Sequence, residues 1–147
     1  MTYDDRAEQI RHTRETEMFR IEAGRVGALP ENFSSKVVGV SFVDGFPRNL
    51  WDLEAMTMQH YNMLGEEPLA VVLRRNPGNQ YDVNAIEIHV PGLGERAMVG
   101  HLPRPVAARL APLLDAGELW QAEVGAVRLH PDHIDNPGLS VRIWRIS

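Results

Sequence analysis

Hydrophobic residues occur along this chain in short runs, separated by clusters of turn-forming residues. Leu69–Leu73 is an uninterrupted apolar run, which predicts a buried β-strand. Ile86–Val90 alternates apolar and polar residues, which predicts a strand buried on one face. Between these runs, Asn76–Asn79 consists entirely of turn formers. The three segments together predict a β-hairpin whose loop carries polar and aromatic side chains.

The same pattern predicts further strands and two helices. The remaining strands are expected at 37–43, 97–102, 119–129 and 139–144. Helical periodicity appears at 49–64 and 103–114, and Asn49 is a residue type that caps helix N-termini. Short strands joined by hairpins or by one helix each favour a small, curled antiparallel sheet or barrel, because closure removes exposed edges.

The N-terminal region has a different composition. Residues 3–24 are dense in Asp, Glu and Arg, and their large apolar residues form only a thin stripe. This pattern predicts a helix that is either solvated or docked on a protein partner or a second copy of the chain. Turn formers follow as far as residue 35 and predict a linker. The predicted organisation is an N-terminal helical extension with its linker, 1–35, and a barrel domain, 36–147.

Composition and charge narrow the function classes. The 147 residues are enough for one core, and the absence of cysteine excludes disulfides and thiol chemistry. No apolar run approaches the roughly 20 residues that span a bilayer, so a cytoplasmic soluble protein without a membrane partner is expected. The net charge of −5 argues against sequence-blind coating of duplex DNA but leaves room for a small basic pocket that holds one strand end.

Catalytic patterns are weak. The loop His130–Asp135 contains two histidines and two carboxylates, which raises a metal-dependent nuclease as an alternative. Without cysteines or a rigid element to hold the ligands, a surface loop is the favoured interpretation. No nucleophile triad, paired carboxylates or phosphate-cradling Gly-rich loop occurs at recognisable spacing. The sequence therefore predicts a protein that is not an enzyme and that has no metal and no cofactor.

Four motifs, in order, resemble the HIRAN domain over roughly residues 36–145. They are Val38–Phe42, Leu73–Pro77, Asn79–Ile86 and Val99–Arg104, the last followed by an Ala/Leu-rich helix. The resemblance implies an OB-like, six-stranded antiparallel β-barrel. Such domains are modules of SWI2/SNF2-type helicases and also occur in bacterial and phage proteins. In the helicases the module captures the 3′ end of single-stranded DNA.

The resemblance also implies roles for individual residues. Phe42 corresponds to an aromatic residue that stacks on a base, and Tyr81 to the pocket tyrosine. Asp82 corresponds to the acid that accepts the 3′-hydroxyl, while His101 and Arg104 correspond to groups that touch the terminal phosphodiester. Stacking on an aromatic ring contributes about 1–3 kcal/mol per base. A carboxylate accepts a hydrogen bond from a hydroxyl and repels a terminal phosphate, so it can distinguish the two kinds of end.

Structural roles are open for the same residues. Tyr81 is equally compatible with a half-buried wedge, and Asp82 with a cap on its own turn. A partly buried core position is favoured for Phe42, and an internally hydrogen-bonded histidine for His101.

The chain also departs from the family pattern. Ser41 stands where the DNA-binding member has a basic residue, Gly78 and Gln80 alter the turn, and the segment Asp44–Gly65 is longer.

Two functions follow from these observations. The first is a non-catalytic module that captures single-stranded DNA at a free 3′-hydroxyl end, in DNA repair or replication-associated processing. The second is a protein-interaction or scaffold domain that keeps the barrel and has lost end capture. The acidic balance and Ser41 favour the second, whereas the intact set of Tyr81, Asp82, His101 and Arg104 favours the first.

Overall fold

The computed structural model of the chain describes residues 29–64, 69–129 and 137–147, with side chains described as far as residue 59 in the first range. The described residues form six strands and two α-helices, together with 3₁₀ helices at Val40–Phe42 and Gly94–Arg96. In chain order the elements are β1 (Asn32–Lys36), α1 (Arg48–Leu64), β2 (Ala70–Arg75), β3 (Ile86–His89), β4 (Met98–His101), α2 (Arg104–Asp115), β5 (Trp120–Arg128) and β6 (Gly138–Arg145).

All strands belong to one antiparallel sheet that curls back on itself. The strand order is β1-β6-β5-β2-β3-β4, which leaves β1 and β4 at the two edges. Val38, just after β1, exchanges two backbone hydrogen bonds with His101 of β4, with N···O distances of 2.8 and 2.9 Å. This bridge joins the two edges. The predicted class, a mainly β fold built as an OB-like, curled six-stranded antiparallel sheet with two helices, is confirmed.

The edge-to-edge bridge requires a glycine. A Cβ added to Gly100 would lie 2.6 Å from Cγ1 of Val37 and 2.7 Å from the carbonyl oxygen of Val38. Atoms in real structures do not approach this closely, so any side chain at position 100 would push the two edges apart.

The core lies on the concave face of the sheet, under the two helices. Alternate residues of β3 and β6 point inward, and Ile86, Ile88 and Ile143 are completely buried. The helices add Leu53 from α1 and Leu110 from α2, which are also completely buried. Each such side chain contributes about 1.5–3 kcal/mol by leaving water. Because one face of the sheet is buried and the other faces solvent, the outward side chains are available for function.

The strand predicted at Val37–Val43 is wrong. Val37 donates one backbone hydrogen bond to Leu139 of β6, and Val38 forms an isolated bridge with His101. Gly39 is left-handed with φ 72°, and a 3₁₀ helix follows. The strand lies earlier, at Asn32–Lys36, where every residue of β1 has a partner in β6. In this region, pairing with a neighbouring strand decides which segment forms a strand, and intrinsic β propensity does not. The reason is that β propensity mostly reflects packing against neighbours.

Two local predictions are also wrong. Leu69–Leu73 was expected to be buried on both faces, but Val71 is buried while Val72 is 48% exposed. The sheet is antiparallel, so its outer face meets solvent. Asn49 does not cap α1, because the helix begins at Arg48. The Asn49 side chain is completely buried and has no hydrogen bond to any described residue.

Some predictions fall outside the described residues. These are the helix within residues 3–24, the end of α1 at Gly65, and the His130–Asp135 loop. The sheet includes residues 32–35, which the sequence assigned to a linker, and the division into an N-terminal extension and a barrel domain stays a prediction. In the described part of the chain, no helix has the length and apolar character required to cross a membrane.

Candidate nucleic-acid interface

The loop between β2 and β3 is held by its own side chains. The side-chain oxygen of Asn79 accepts hydrogen bonds from the backbone N–H groups of Tyr81, at 2.9 Å, and Asp82, at 3.1 Å. One carboxylate oxygen of Asp82 accepts from the N–H of Asn84 at 2.9 Å. These are Asx-type turns, which fix a loop without a regular ladder. The predicted turn-capping role of Asp82 is confirmed, and its second oxygen bonds to nothing in the described residues.

Arg75, the last residue of β2, braces this loop from the side. Its guanidinium donates to the carbonyl oxygens of Ala85, at 2.8 Å, and Val83, at 3.1 Å. The same group forms a bidentate pair with Asp115 at the end of α2, at 3.0 and 3.1 Å. This pair holds the pKa of the Asp115 carboxyl below its ordinary value. The loop is therefore tied to a helix as well as to its own strands.

A second arginine joins the loop to the beginning of α2. Arg104 is the first residue of α2, which begins one residue after the predicted start at residue 103. Its guanidinium donates to the backbone carbonyl of Tyr81 at 2.6 Å. The Tyr81 side chain itself is 75% exposed, so the half-buried wedge predicted as an alternative is wrong. An exposed phenol ring and a cationic group thus share one small surface with the unpaired N–H groups of a helix N-terminus.

His101 lies on the outer face next to this surface. In the β3–β4 ladder it is opposite Glu87, and on its other side it is opposite Val38. Glu87 accepts a hydrogen bond from Asn76 at 3.1 Å and lies 2.8 Å from the ring Nε2 of His89. Burial acts to raise the pKa of Glu87, but the contacts with His89 and Asn76 and the nearby charge of His101 outweigh it. The pKa of Glu87 therefore lies below its ordinary value.

Phe42 is presented by the short turn that replaces the predicted strand. Left-handed Gly39 redirects the chain, and the N–H of Phe42 bonds to the Gly39 carbonyl at 3.0 Å. The resulting 3₁₀ helix lies against β4, which carries His101. The Phe42 ring is 90% exposed, so the partly buried position favoured from the sequence is wrong. An aromatic ring this exposed makes little contribution to the core.

Direct contacts unite only part of the predicted set. Arg104 touches the backbone of Tyr81, Asp82 shares the loop with Tyr81, and His101 is three residues before Arg104.

Two supporting residues were missed from the sequence. Asn79 binds the loop N–H groups, and Arg75 braces the loop. The role of Arg75 could have been inferred from period-2 alternation, which places this residue on the inward face of the strand with Val71 and Leu73. An arginine on that face needs partners, which the loop carbonyls and Asp115 provide.

The alternative metal site stays a prediction, because the whole His130–Asp135 loop lies outside the described residues. Elsewhere, within 29–64, 69–129 and 137–147, no group of three or more His, Asp or Glu side chains could hold a metal ion.

Comparison with known proteins agrees with this architecture. The family model of the HIRAN domain matches residues 30–133, more than half of the chain. The Fanconi-associated nuclease 1 homolog of Oryza sativa subsp. japonica is 36% identical over 77 residues, which cover 51% of this chain. That match spans only 8% of the rice protein.

Two solved structures share the fold. A protein from Lactobacillus plantarum has a TM-score of 0.55 and 28% identity, covering 76% of this chain and 89% of that one. The HIRAN domain of human HLTF has a TM-score of 0.51 and 20% identity, covering 78% of this chain and 74% of that one.

The fold defines a small binding module built on a curled antiparallel sheet. With the family match over residues 30–133, the chain belongs to the HIRAN domain family, which is known for DNA binding in related proteins.

Proposed function

We propose that this domain captures single-stranded DNA at a free 3′-hydroxyl end, as a non-catalytic module in DNA repair or replication-associated processing. The single observation that carries the proposal is the contact between Arg104 and Tyr81. It brings a cationic helix N-terminus to a fixed loop that displays an aromatic ring and a carboxylate, which are the chemical groups that a DNA end requires.

The exposed rings supply the binding platform. Phe42 and Tyr81 are 90% and 75% exposed, so each can stack on a base without first being released from the core. Stacking tolerates any base and contributes about 1–3 kcal/mol per ring. His101 and Arg104 supply hydrogen-bond donors for the phosphate between the stacked bases.

The second oxygen of Asp82 is the proposed acceptor for the 3′-hydroxyl. The first oxygen holds the Asn84 N–H, which fixes the direction of the carboxylate. A negative charge at this point repels a 3′-phosphate, so the domain is expected to prefer a hydroxyl end.

Fluorescence polarisation with labelled oligonucleotides tests this preference. We expect a strand with a 3′-hydroxyl to bind roughly 5–10-fold more tightly than the same strand with a 3′-phosphate, an effect of about 1 kcal/mol between surface charges. Asp82→Asn keeps an oxygen for the Asn84 N–H and removes the charge, so this variant should bind both strands about equally.

Glu95→Gln is the matched control, because it removes one exposed carboxylate from a different turn. It should retain the preference. Equal binding of both strands by the unaltered protein would overturn the proposal. No binding of either strand would favour the protein-interaction or scaffold function, which the net charge of −5 also favours.

A further inference from the structure

We infer that the proposed end-capture surface continues into a second, cationic subsite that holds the phosphates on the 5′ side of the captured end. This subsite is a groove of about 200 Å³ at the β1, β5 and β6 strands. Lys36, Arg128 and Ser140 line it, with Ala126 and Gly138. The inference rests on the proposed function, because it assigns a path to the same DNA strand.

The strand register places the groove residues on one face of the sheet. Lys36 is opposite Ser140 in the β1–β6 ladder, and Ser140 is opposite Ala126 in the β5–β6 ladder. Directly opposed residues of antiparallel strands point to the same side. Arg128 lies two residues beyond Ala126 and shares that side. The flanking residue Leu139 is buried, so the shared side is the outer one.

The edge-to-edge bridge connects this groove to the end-capture surface. Lys36 is two residues before Val38, and Val38 is opposite His101. Burial alternates through this segment, with Val37 buried and Lys36 exposed, so Lys36, Val38 and His101 face the same way. At about 3.3 Å per residue, Lys36 lies roughly 7 Å from Val38 along the chain. About one or two nucleotides can span that distance. Because the bridge is antiparallel, Lys36 lies toward the end of β4 that leads to Arg104.

The chemistry of the groove suits a phosphodiester chain. Lys36 and Arg128 contribute positive charge, and Ser140 contributes a hydroxyl donor. Neighbouring strands are about 4.8 Å apart, so the side chains of β1 and β5 begin within roughly 10 Å of each other. A chain with a net charge of −5 has few surfaces that attract a polyanion, and this groove adjoins one end of the proposed path. The resulting path runs from Arg104 and His101 across the bridge to Lys36.

Oligonucleotide length separates the two sites. With 3′-hydroxyl strands, we expect an oligonucleotide of about ten nucleotides to bind at least fivefold more tightly than one of about two, because only the longer strand reaches the groove. The double variant Lys36→Gln/Arg128→Gln should lose this advantage. Its affinity for the shortest strand should stay unchanged.

Salt dependence provides a second measurement. Each phosphate contact with a single strand contributes about 0.7 to the slope of log affinity against log salt. The double variant should therefore lower the slope for the longer strand by roughly 1.4. Arg145→Gln is the control for a general loss of charge, because it removes one positive charge at the far end of β6. It should change the slope much less.

The outcomes distinguish the two proposals. If the double variant keeps both the length advantage and the full salt slope, the groove does not hold DNA, while end capture stands. If the unaltered protein binds neither length, end capture and the groove both fail. Circular dichroism of each variant confirms that the sheet is intact, since Lys36 and Arg128 are exposed positions.

Discussion

The two exposed aromatic rings of this domain are held in different ways. Tyr81 sits in a loop fixed by Asn79 and Asp82 from within, and by Arg75 and Arg104 from neighbouring elements. Phe42 sits on one turn of 3₁₀ helix, with a hydrogen bond from its own N–H to Gly39. The first ring belongs to a preorganised platform, and the second to a turn with fewer restraints. Under the proposed function, we expect Tyr81 to order the DNA end and Phe42 to adjust to it.

Removing the Arg75 side chain, which braces the Tyr81 loop, should produce the largest loss of stability. Arg75→Ala deletes four hydrogen bonds, two to the loop carbonyls of Ala85 and Val83 and two to the Asp115 carboxylate. We expect the free energy of unfolding to fall by about 2–3 kcal/mol, measured by urea denaturation. Arg74→Ala, on the exposed face of the same strand, is the control and should change it by less than about 0.5 kcal/mol.

Arg75→Lys refines this test. It keeps the charge and loses the planar fork, so it should recover only part of the lost stability. Full recovery by lysine would show that charge alone holds the loop, and equal effects at positions 74 and 75 would contradict the brace.

Truncating each ring should weaken DNA binding by different amounts. We expect Tyr81→Ala to reduce affinity about 30-fold and Phe42→Ala about fivefold, within the range of 1–3 kcal/mol per stacked base. The smaller loss reflects the ordering that the Phe42 turn must undergo on binding. Fluorescence polarisation measures both affinities.

Tyr81→Phe and Phe42→Tyr keep a ring at each position and serve as controls, which should bind nearly as well as the unaltered protein. Because both rings are exposed, neither truncation should change stability. Equal losses at the two positions would remove the distinction between a fixed and an adjustable platform.

The Phe42 turn itself depends on one glycine. Gly39 has φ 72°, a conformation that L-residues with side chains adopt only with strain, so Gly39→Ala should destabilise the protein by about 1 kcal/mol in thermal or urea unfolding. Gly78→Ala is the control, since Gly78 has no left-handed φ and its added Cβ would have 3.8 Å to the nearest atom. A destabilisation of similar size at position 78 would mean that the strain is not specific to the turn.

Acid should weaken the hydrogen-bonded cluster beneath the Tyr81 loop. The pKa of Glu87 is lower in the folded protein than in the unfolded chain, so its stabilising contribution is present above the unfolded value of about 4.3. That contribution disappears as the pH falls through the lower, folded pKa.

Urea denaturation at about pH 6 and about pH 3.5 measures the effect. Glu87→Gln should lose less stability on acidification than the unaltered protein, by less than about 1 kcal/mol, because the site is partly exposed. The pKa of Asp115 is also lowered in the folded protein, so this carboxyl adds to the loss of stability in acid equally in both proteins. Identical acid sensitivity of the two proteins would contradict the role of Glu87.

Much of the architecture could be predicted from the sequence. The hairpin, both helices and the strands near residues 86, 98, 120 and 139 follow from local periodicity and turn chemistry, and they are confirmed. Arg104 at a helix N-terminus followed from the proline-flanked start of an Ala/Leu run. These features are local, so their causes lie within a few residues of where they appear.

The misplaced first strand has a non-local cause. Val37–Val43 has higher β propensity than Asn32–Lys36, yet the latter pairs with β6 along its whole length. The exposure of Phe42 follows from that shift, because the residues beyond Val38 turn away at Gly39.

Local periodicity and motif spacing are enough to predict the alternation of strands and helices, the polar hairpin loop and the family. Which residues meet depends on the tertiary structure. Arg75 reaches Asp115 across forty positions, Arg104 reaches Tyr81 across twenty-three, and Val38 closes the sheet on His101. Such contacts depend on how the sheet curls, and curling is a property of all six strands together rather than of any one segment.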